Sequence, residues 1–452
     1  MKISNYTFLF ANSEGYFVFN ALSKAFLQIN KECFDVLSEK KNNNEQLNKQ
    51  DIDTELFNEL VNRLFICENY KDEFLIYKSA NMNIRNKTSA MSITIAPTMD
   101  CCFSCFYCFE KGNHTKTYIT DEVMNAIVKN ISNRKELQYI NLTWFGGEPL
   151  MAIDKMRIFY HKFRPLFKGN FSSNIITTAF HIDENVIDIL KEIEVTSMQI
   201  TLDGTEKTHN SIKFTDGCDN AFQKVISNID LLVEKYPEIQ INLRINTTKT
   251  NVCEYVELHK FITDRYKNYN IFMTNGYVMN RNNSMTTIET STLLSNDDCS
   301  KLAIDLWKNH KILTHWLMYD NYLTFECAVR NRNSLIVDPE GYTYQCWEVI
   351  GNKKHAIGRL DKEGNITEIN QKELNRNLYG ADPFENAQCK KCSYLPMCSG
   401  GCPYQRIENE FECGKNELCT TYKNHISEWL TTYLELKKLG YFSKPKEEEN
   451  EK

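Results

Sequence analysis

From residue 91 onward, short apolar runs alternate with segments whose apolar residues recur every three or four positions. SITIA (92–96), YINLTWF (139–145), NIITTAF (174–180), MQITLD (198–203), IQINLRIN (239–246) and NIFMTNGYV (270–278) predict strands. Between them, DEVMNAIVKNI, DKMRIFYHKF, ENVIDILKEI, AFQKVISNIDLLVEKY and VCEYVELHKFI predict amphipathic helices, with Thr120 and Asp183 placed as N-caps. Six successive βα units imply parallel strands with right-handed crossovers, in an open sheet or an incomplete barrel. In either case sites gather at the carboxyl ends of the strands.

Residues 1 to about 85 follow another pattern. YTFLFA and YFVFNAL flank the turn-like NSEG and predict a hairpin, while ECFDVLSEK and ELFNELVNRLF carry helical spacing. KKNNNEQLNKQ between those two is a polar loop. After the polar stretch NRNNSMTTIETS comes one helix at about 296–313, then a cysteine-rich stretch and a helical segment near 421–438. The tail KPKEEENEK reads as a solvated end. At 452 residues the chain is long enough for two or three domains.

Composition narrows the class. With 42% hydrophobic and 25% charged residues this is a globular chain, and its net charge of −6 gives no reason to expect nucleic acid. No apolar run approaches the ~20 residues that cross a bilayer. The opening MKISNYTFLFANSEG lacks the apolar stretch and cleavage site of a signal peptide. A cytoplasmic location is expected, where thiols stay reduced. Seventeen cysteines then point to metal ligands rather than disulfides. Cys33, Cys67, Cys218, Cys253 and Cys299 stand alone in periodic segments and read as small buried hydrophobes.

Four cysteines crowd into CCFSCFYC, residues 101–108. Counted from Cys102 the spacing opens a ferredoxin run, which then needs a cysteine at position 112; that position is Gly112. A zinc site needs a fourth Cys or His, and nearby His114 keeps zinc open. Counted from Cys101, three thiolates would hold three irons of a [4Fe–4S] cube and leave the fourth open. An open coordination position is what catalysis at a metal requires.

CCFSCFYC contains C-x3-C-x-φ-C with Tyr107 at the aromatic position, and Gly146, Gly147, Glu148 and Pro149 spell GGEP at the end of the second strand. On these two motifs the chain resembles the radical S-adenosylmethionine (radical SAM) superfamily. The resemblance implies an α/β fold with a partial (βα)6 TIM-like barrel and a cluster on Cys101, Cys105 and Cys108. It also implies SAM on the open iron, its amino group at the GGEP strand end with Glu148, and its adenine beside Tyr107. One-electron cleavage of SAM would then yield methionine and a radical that takes hydrogen from the substrate. Thr177 and Thr178 stand where relatives often have a Thr-Asn pair. Thr201-Leu202-Asp203-Gly204 resembles a Ser-Leu-Asp-Gly near the SAM ribose, and Asn246 ends the fifth strand. Thr178, Thr201, Asp203 and Asn246 are therefore expected cofactor contacts.

The second cysteine group reads C-x13-G-x4-C from Cys327 to Cys346, then C-x2-C-x5-C-x3-C through Cys389, Cys392, Cys398 and Cys402. This series is similar to the SPASM extension of radical SAM proteins, which houses two auxiliary [4Fe–4S] clusters, three clusters in all. The resemblance assigns Cys327, Cys346 and Cys402 to auxiliary cluster I. Cys389, Cys392 and Cys398 go to cluster II with Cys419, for which Cys413 competes. HWLMYDNYLTFE, before Cys327, holds no cysteine, so cluster I is expected one ligand short. Where the sulfatase-maturing branch has an aspartate base after the residue matching Cys346, this chain has Trp347.

Residues 1–85 look similar to the winged-helix, PqqD-like module that captures leader peptides in ribosomal peptide modification, by adding the leader to a sheet edge. The expected organisation is a leader-recognition module at 1–85, the barrel at 90–280, a bridging helix with the SPASM region at 290–425, and a helix end with its tail at 426–452. The expected activity is intramolecular crosslinking of a precursor peptide, with a thioether favoured and a carbon–carbon bond possible. Sulfatase maturation and a non-catalytic zinc-stabilised peptide-binding scaffold are the alternatives. Expected partners are the precursor and a reductant such as flavodoxin or ferredoxin, without nucleic acid or membrane.

Overall fold

A computed structural model describes residues 1–279, 288–314 and 326–441. Most of NRNNSMTTIETS, nearly all of HWLMYDNYLTFE and the whole KPKEEENEK tail lie outside the described residues.

The first unit comprises β1 (Lys2–Ile3), β2 (Thr7–Asn12), β3 (Gly15–Asn20), β4 (Phe26–Ile29), α1 (Lys31–Asn42), α2 (Thr54–Asn62), β5 (Ile66–Cys67) and α3 (Tyr70–Arg85). The expected hairpin is present, with Thr7 opposite Asn20 and Asn12 opposite Gly15, and β4 adds to β3. Buried Asn20 donates through Nδ2 to Ser4, Thr7 and Leu64, which fixes the hairpin against the rest of the unit. Periodicity did not predict α3, and the reason is visible. Its buried positions are Glu73, Tyr77, Asn81 and Arg85, a mostly polar stripe at four-residue spacing. Arg85 pairs with Glu326 at 2.9 Å and Asp382 at 2.8 Å, and Arg330 also holds Glu326 at 2.8 Å; all four side chains are buried. The last residue of the first unit is thus ion-paired to the residue beside Cys327.

β6 (Ala90–Ile95), β7 (Tyr139–Trp144), β8 (Asn170–Thr177), β9 (Val195–Leu202), β10 (Gln240–Thr247) and β11 (Ile271–Tyr277) run parallel in sequential spatial order. That order is the topology of an incomplete (βα)6 barrel. The intervening helices are α4 (Asp121–Ser132), α5 (Ile153–Phe163), α6 (Glu184–Glu192), α7 (Glu206–Ile212), α8 (Ala221–Lys235) and α9 (Tyr255–Arg265). Strands and helices share one apolar core. Thr120 and Asp183 cap α4 and α6 through Val123 N–H and Val186 N–H.

α10 (Asn296–His310) follows, opened by a Ser295–Asp298 capping box. The cysteine-rich region then continues the barrel sheet. β12 (Ser334–Val337) lies parallel to β6, and β13 (Tyr342–Tyr344), β14 (Gly358–Leu360) and β15 (Ile366–Thr367) add antiparallel, giving ten strands in one sheet. Short helices α11 (Gln371–Asn375), α12 (Leu395–Cys398) and α13 (Pro403–Phe411) follow; Cys398 ends α12 and Cys402 directly precedes α13. α14 (Ile426–Lys438) returns to the first unit, where Trp429 and Tyr433 pack with Phe17 and Phe19.

Candidate active site

The chain leaving β6 forms the loop that bears Cys101, Cys102, Cys105 and Cys108. The turn after β7 is clamped against the base of that loop. Gly147 N–H donates to Thr98 C=O and Glu148 N–H to Asp100 C=O. A side chain on either glycine would collide: a Cβ on Gly147 would lie 2.2 Å from Asp100 O, and one on Gly146, whose φ is +111°, 2.4 Å from Thr98 O. The two glycines are required by this close approach, independently of any ligand.

Glu148 is fully buried. Its carboxylate accepts from Thr177 Oγ1 (2.5 Å), Thr178 Oγ1 (2.6 Å), Thr178 N–H (2.7 Å) and Leu150 N–H (3.1 Å), capping the turn that Pro149 opens. Among the described residues it has no ion-pair partner. A buried carboxylate without a cation is costly, so the site suits a ligand that brings one, as the SAM ammonium would.

Above this turn, at the carboxyl ends of the strands, opens a cavity of about 300 Å³. Cys101, Cys105, Cys108, Tyr107, Gly146 and Gly147 line one side; Thr178, Thr201 and Asn246 line the strand ends. Glu148, Pro149 and Asp203 stand behind the lining. Burial is the largest cause raising the Cys105 and Cys108 thiols; the charge of nearby Cys101 adds to both, and that of Cys105 adds to Cys108. Cys102 turns aside, donating its thiol hydrogen to the Cys101 sulfur, which lowers the Cys101 pKa and raises that of Cys102. Metal binding deprotonates coordinating thiols, those raised by burial at Cys105 and Cys108 included, so the three-sulfur donor set fits an iron–sulfur group. A second donor set shares Cys108: His114 Nε2 lies 3.7 Å from its sulfur and 3.9 Å from Glu110 Oε2. The two sets cannot be filled together through Cys108.

Behind Cys105 is a buried polar knot. Tyr107 donates its hydroxyl to Asp203 (2.7 and 2.8 Å). Lys213 Nζ donates to Cys105 Sγ (3.4 Å) and Tyr107 Oη (3.1 Å), and pairs with Asp203 Oδ2 at 3.0 Å. Asn251 Nδ2 ties the strand ends by donating to Asp203 C=O and Asn246 C=O.

The C-terminal cysteines fall into two groups. Burial, then Glu348, then Cys402 and Cys327 push the Cys346 thiol up; burial likewise pushes Cys327 up to about 11, with Cys402 adding to it. Cys398, pushed by burial up to about 12, feels Cys392, Cys389 and Cys419. Cys413 is exposed, with a left-handed φ of 59°. Trp347 brings this region into the cavity: its ring stacks on Phe145 at 5.3 Å, and Nε1 donates to Thr94 at 3.0 Å.

Residues 95–262 match the family model of the radical SAM superfamily. The chain carries a radical SAM domain. It is 20% identical to a serine-type anaerobic sulfatase-maturating enzyme of Klebsiella aerogenes, over 73% of this chain and 82% of that one. It is 22% identical to a cysteine-type anaerobic sulfatase-maturating enzyme of Clostridium novyi, over 78% and 98%. In fold it is similar to native anSMEcpe with bound AdoMet and the Kp18Cys peptide (TM-score 0.60, 17% identity, 78% of this chain and 99% of that one). It is also similar to Streptococcus suis SuiB bound to the precursor peptide SuiA (TM-score 0.54, 13% identity, 92% and 99%). The latter match leaves too little of the chain uncovered to omit residues 1–85.

Several residues around the radical SAM cavity carry no motif. Gln199 and Arg244 line it with Thr201 and Asn246, on alternate positions of β9 and β10. MQITLD and NLRIN do alternate polar with apolar, and that period of two was the available signal for an inward polar face. Gly276 makes room for Arg244, since a Cβ there would sit 2.4 Å from the guanidinium. Lys213, on the chain beyond α7, offers no sequence signal that would place it beside Cys105.

Proposed function

We propose that this protein is a radical SAM peptide maturase. It would take a ribosomal precursor by its leader, remove hydrogen from the core peptide and close an intramolecular crosslink, with a thioether favoured over a carbon–carbon bond. One observation carries the reading: three gathered thiols line one cavity at the carboxyl ends of six parallel strands, with a buried carboxylate that lacks a cation behind its glycine turn. Cys101, Cys105 and Cys108 would hold the SAM-binding [4Fe–4S] cluster, with SAM spanning the Gly146–Gly147 turn, Thr178, Thr201 and Asn246. Once bound, that group supplies a one-electron route to hydrogen-atom abstraction. The protein's part is to orient it and to wall off the cavity with Phe145 and Trp347.

Cys327, Cys346 and Cys402 would hold auxiliary cluster I, and Cys389, Cys392, Cys398 and Cys419 auxiliary cluster II. Cys392 and Cys398 both feel the charge of Cys419 and not that of Cys413, which favours Cys419 in the second set. With three thiolates on cluster I, a precursor cysteine is a natural fourth ligand, which would hold its sulfur ready for bond formation. Glu348 is the rival ligand from this chain. The open outer edge of β4 suits strand addition by the leader, and among the described residues no strand pairs with it. A flavodoxin- or ferredoxin-type reductant and a cytoplasmic location complete the reading.

Sulfatase maturation is the second reading, favoured by the names of the curated relatives. Against it, Trp347 occupies the expected position of the base and its indole is engaged by Phe145 and Thr94. Anaerobic reconstitution separates the classes. A maturase should take up iron and sulfide and convert SAM to 5′-deoxyadenosine under reduction. Zinc uptake at Cys108, Glu110 and His114 with no iron would instead support the scaffold. A sulfatase peptide turned over in preference to the precursor would favour the second reading.

A further inference from the structure

The buried knot beside Cys105 has a consequence for the electron that starts the reaction, and it rests on the cluster assignment above. We propose that Lys213 is a positioning residue that raises the reduction potential of the SAM-binding cluster, with Asp203 as its partial counterweight. The Lys213 ammonium has three hydrogens and meets three acceptors: Cys105 Sγ at 3.4 Å, Tyr107 Oη at 3.1 Å and Asp203 Oδ2 at 3.0 Å. Its side chain, at the wall of the cavity, is 3% exposed and that of Asp203 fully buried, so water screens the pair only weakly.

Hydrogen bonds to ligand sulfur and nearby fixed charge are among the levers that set cluster potentials. Reduction adds one electron from the external reductant and therefore one negative charge. A buried cation donating to a ligand sulfur stabilises the reduced state more than the oxidised one. Asp203 acts in the opposite sense at slightly greater remove, through Lys213 and Tyr107. The neutral Tyr107 hydroxyl bridges the two and fixes the loop between Cys105 and Cys108.

Opposite charges on two touching residues give a signature that a merely structural role does not. The test is an anaerobic redox titration of reconstituted full-length enzyme, followed by electron paramagnetic resonance. It reads the reduced-cluster signal whose shape changes when SAM is added. Lys213→Met should move the midpoint of that signal to more negative potential. Lys213→Arg should leave it near wild type, and Asp203→Asn should move it to more positive potential. Iron content is measured in each variant. If Lys213→Met fails to load iron, the midpoint of Asp203→Asn against that of Lys213→Arg decides the matter. An unmoved midpoint, or movement of both charge-removing variants in one direction, overturns the role of Lys213 while leaving the cluster assignment intact. A wild-type enzyme with no SAM-responsive signal contradicts that assignment itself, and the inference with it.

Discussion

The four thiols of CCFSCFYC meet different neighbours, so their loss should have unequal effects. Cys101, Cys105 and Cys108 face the cavity, whereas Cys102 donates to Cys101 from the side. Replacing Cys105 with Ala should abolish SAM cleavage to 5′-deoxyadenosine. Replacing Cys102 should cost less than about tenfold, the scale of one lost hydrogen bond. Cleavage lost in the Cys102 variant would mean that the register from Cys101 is wrong. Gly147→Ala is the complementary change, because its Cβ meets backbone rather than a movable side chain. It should lower the iron retained per chain after desalting, although no ligand is altered. At this scale the motif residues were legible in the sequence. What they touch was not: the threonine pair that holds Glu148 and the Lys213–Asp203 pair arise from strand ends brought together only by folding.

Strands and helices of the barrel, the short α7 apart, were legible because one face of each is apolar at a regular period. α3 was not, since its buried stripe is Glu73, Tyr77, Asn81 and Arg85, in which only Tyr77 packs as an apolar side chain and Arg85 is compensated by ion pairs. Arg85→Met would leave Glu326 and Asp382 buried with reduced compensation, so it should destabilise the protein by about 3–5 kcal/mol. A shifted denaturation midpoint of the metal-free chain would report this; an unchanged midpoint would show that the network contributes no net stability. This bolt also makes removal of residues 1–85 a poor test of leader binding. A substitution at the edge of β4 is cleaner. Asn20 N–H bonds Ala25 C=O, so alternation along the antiparallel ladder turns the N–H of Gln28 outward. Gln28→Pro removes that donor on an exposed edge residue. It should weaken precursor binding in a fluorescence anisotropy titration by about tenfold, the cost of one or two lost main-chain hydrogen bonds. SAM cleavage without peptide should persist. Undiminished binding would return the first unit to a structural cap.

Across the whole molecule, one ten-stranded sheet joins the barrel to the cysteine-rich region, and α14 joins that region back to the first unit. The joint was not legible in SLIV (334–337), a four-residue run whose partner, β6, lies more than two hundred positions earlier. Its effect is to bring Trp347, next to Cys346, into the same cavity as Cys101. A peptide in that cavity would therefore meet both the radical SAM site and the neighbourhood of the second thiol group. The central claim is that hydrogen passes from a peptide to the cofactor at this cavity. It is tested most directly by incubating the reconstituted enzyme with SAM, reductant and a perdeuterated precursor peptide, and weighing the 5′-deoxyadenosine formed. Deuterium in that product, matched by a precursor that has lost two hydrogen atoms, is the predicted result. Unlabelled 5′-deoxyadenosine and a precursor of unchanged mass would contradict it.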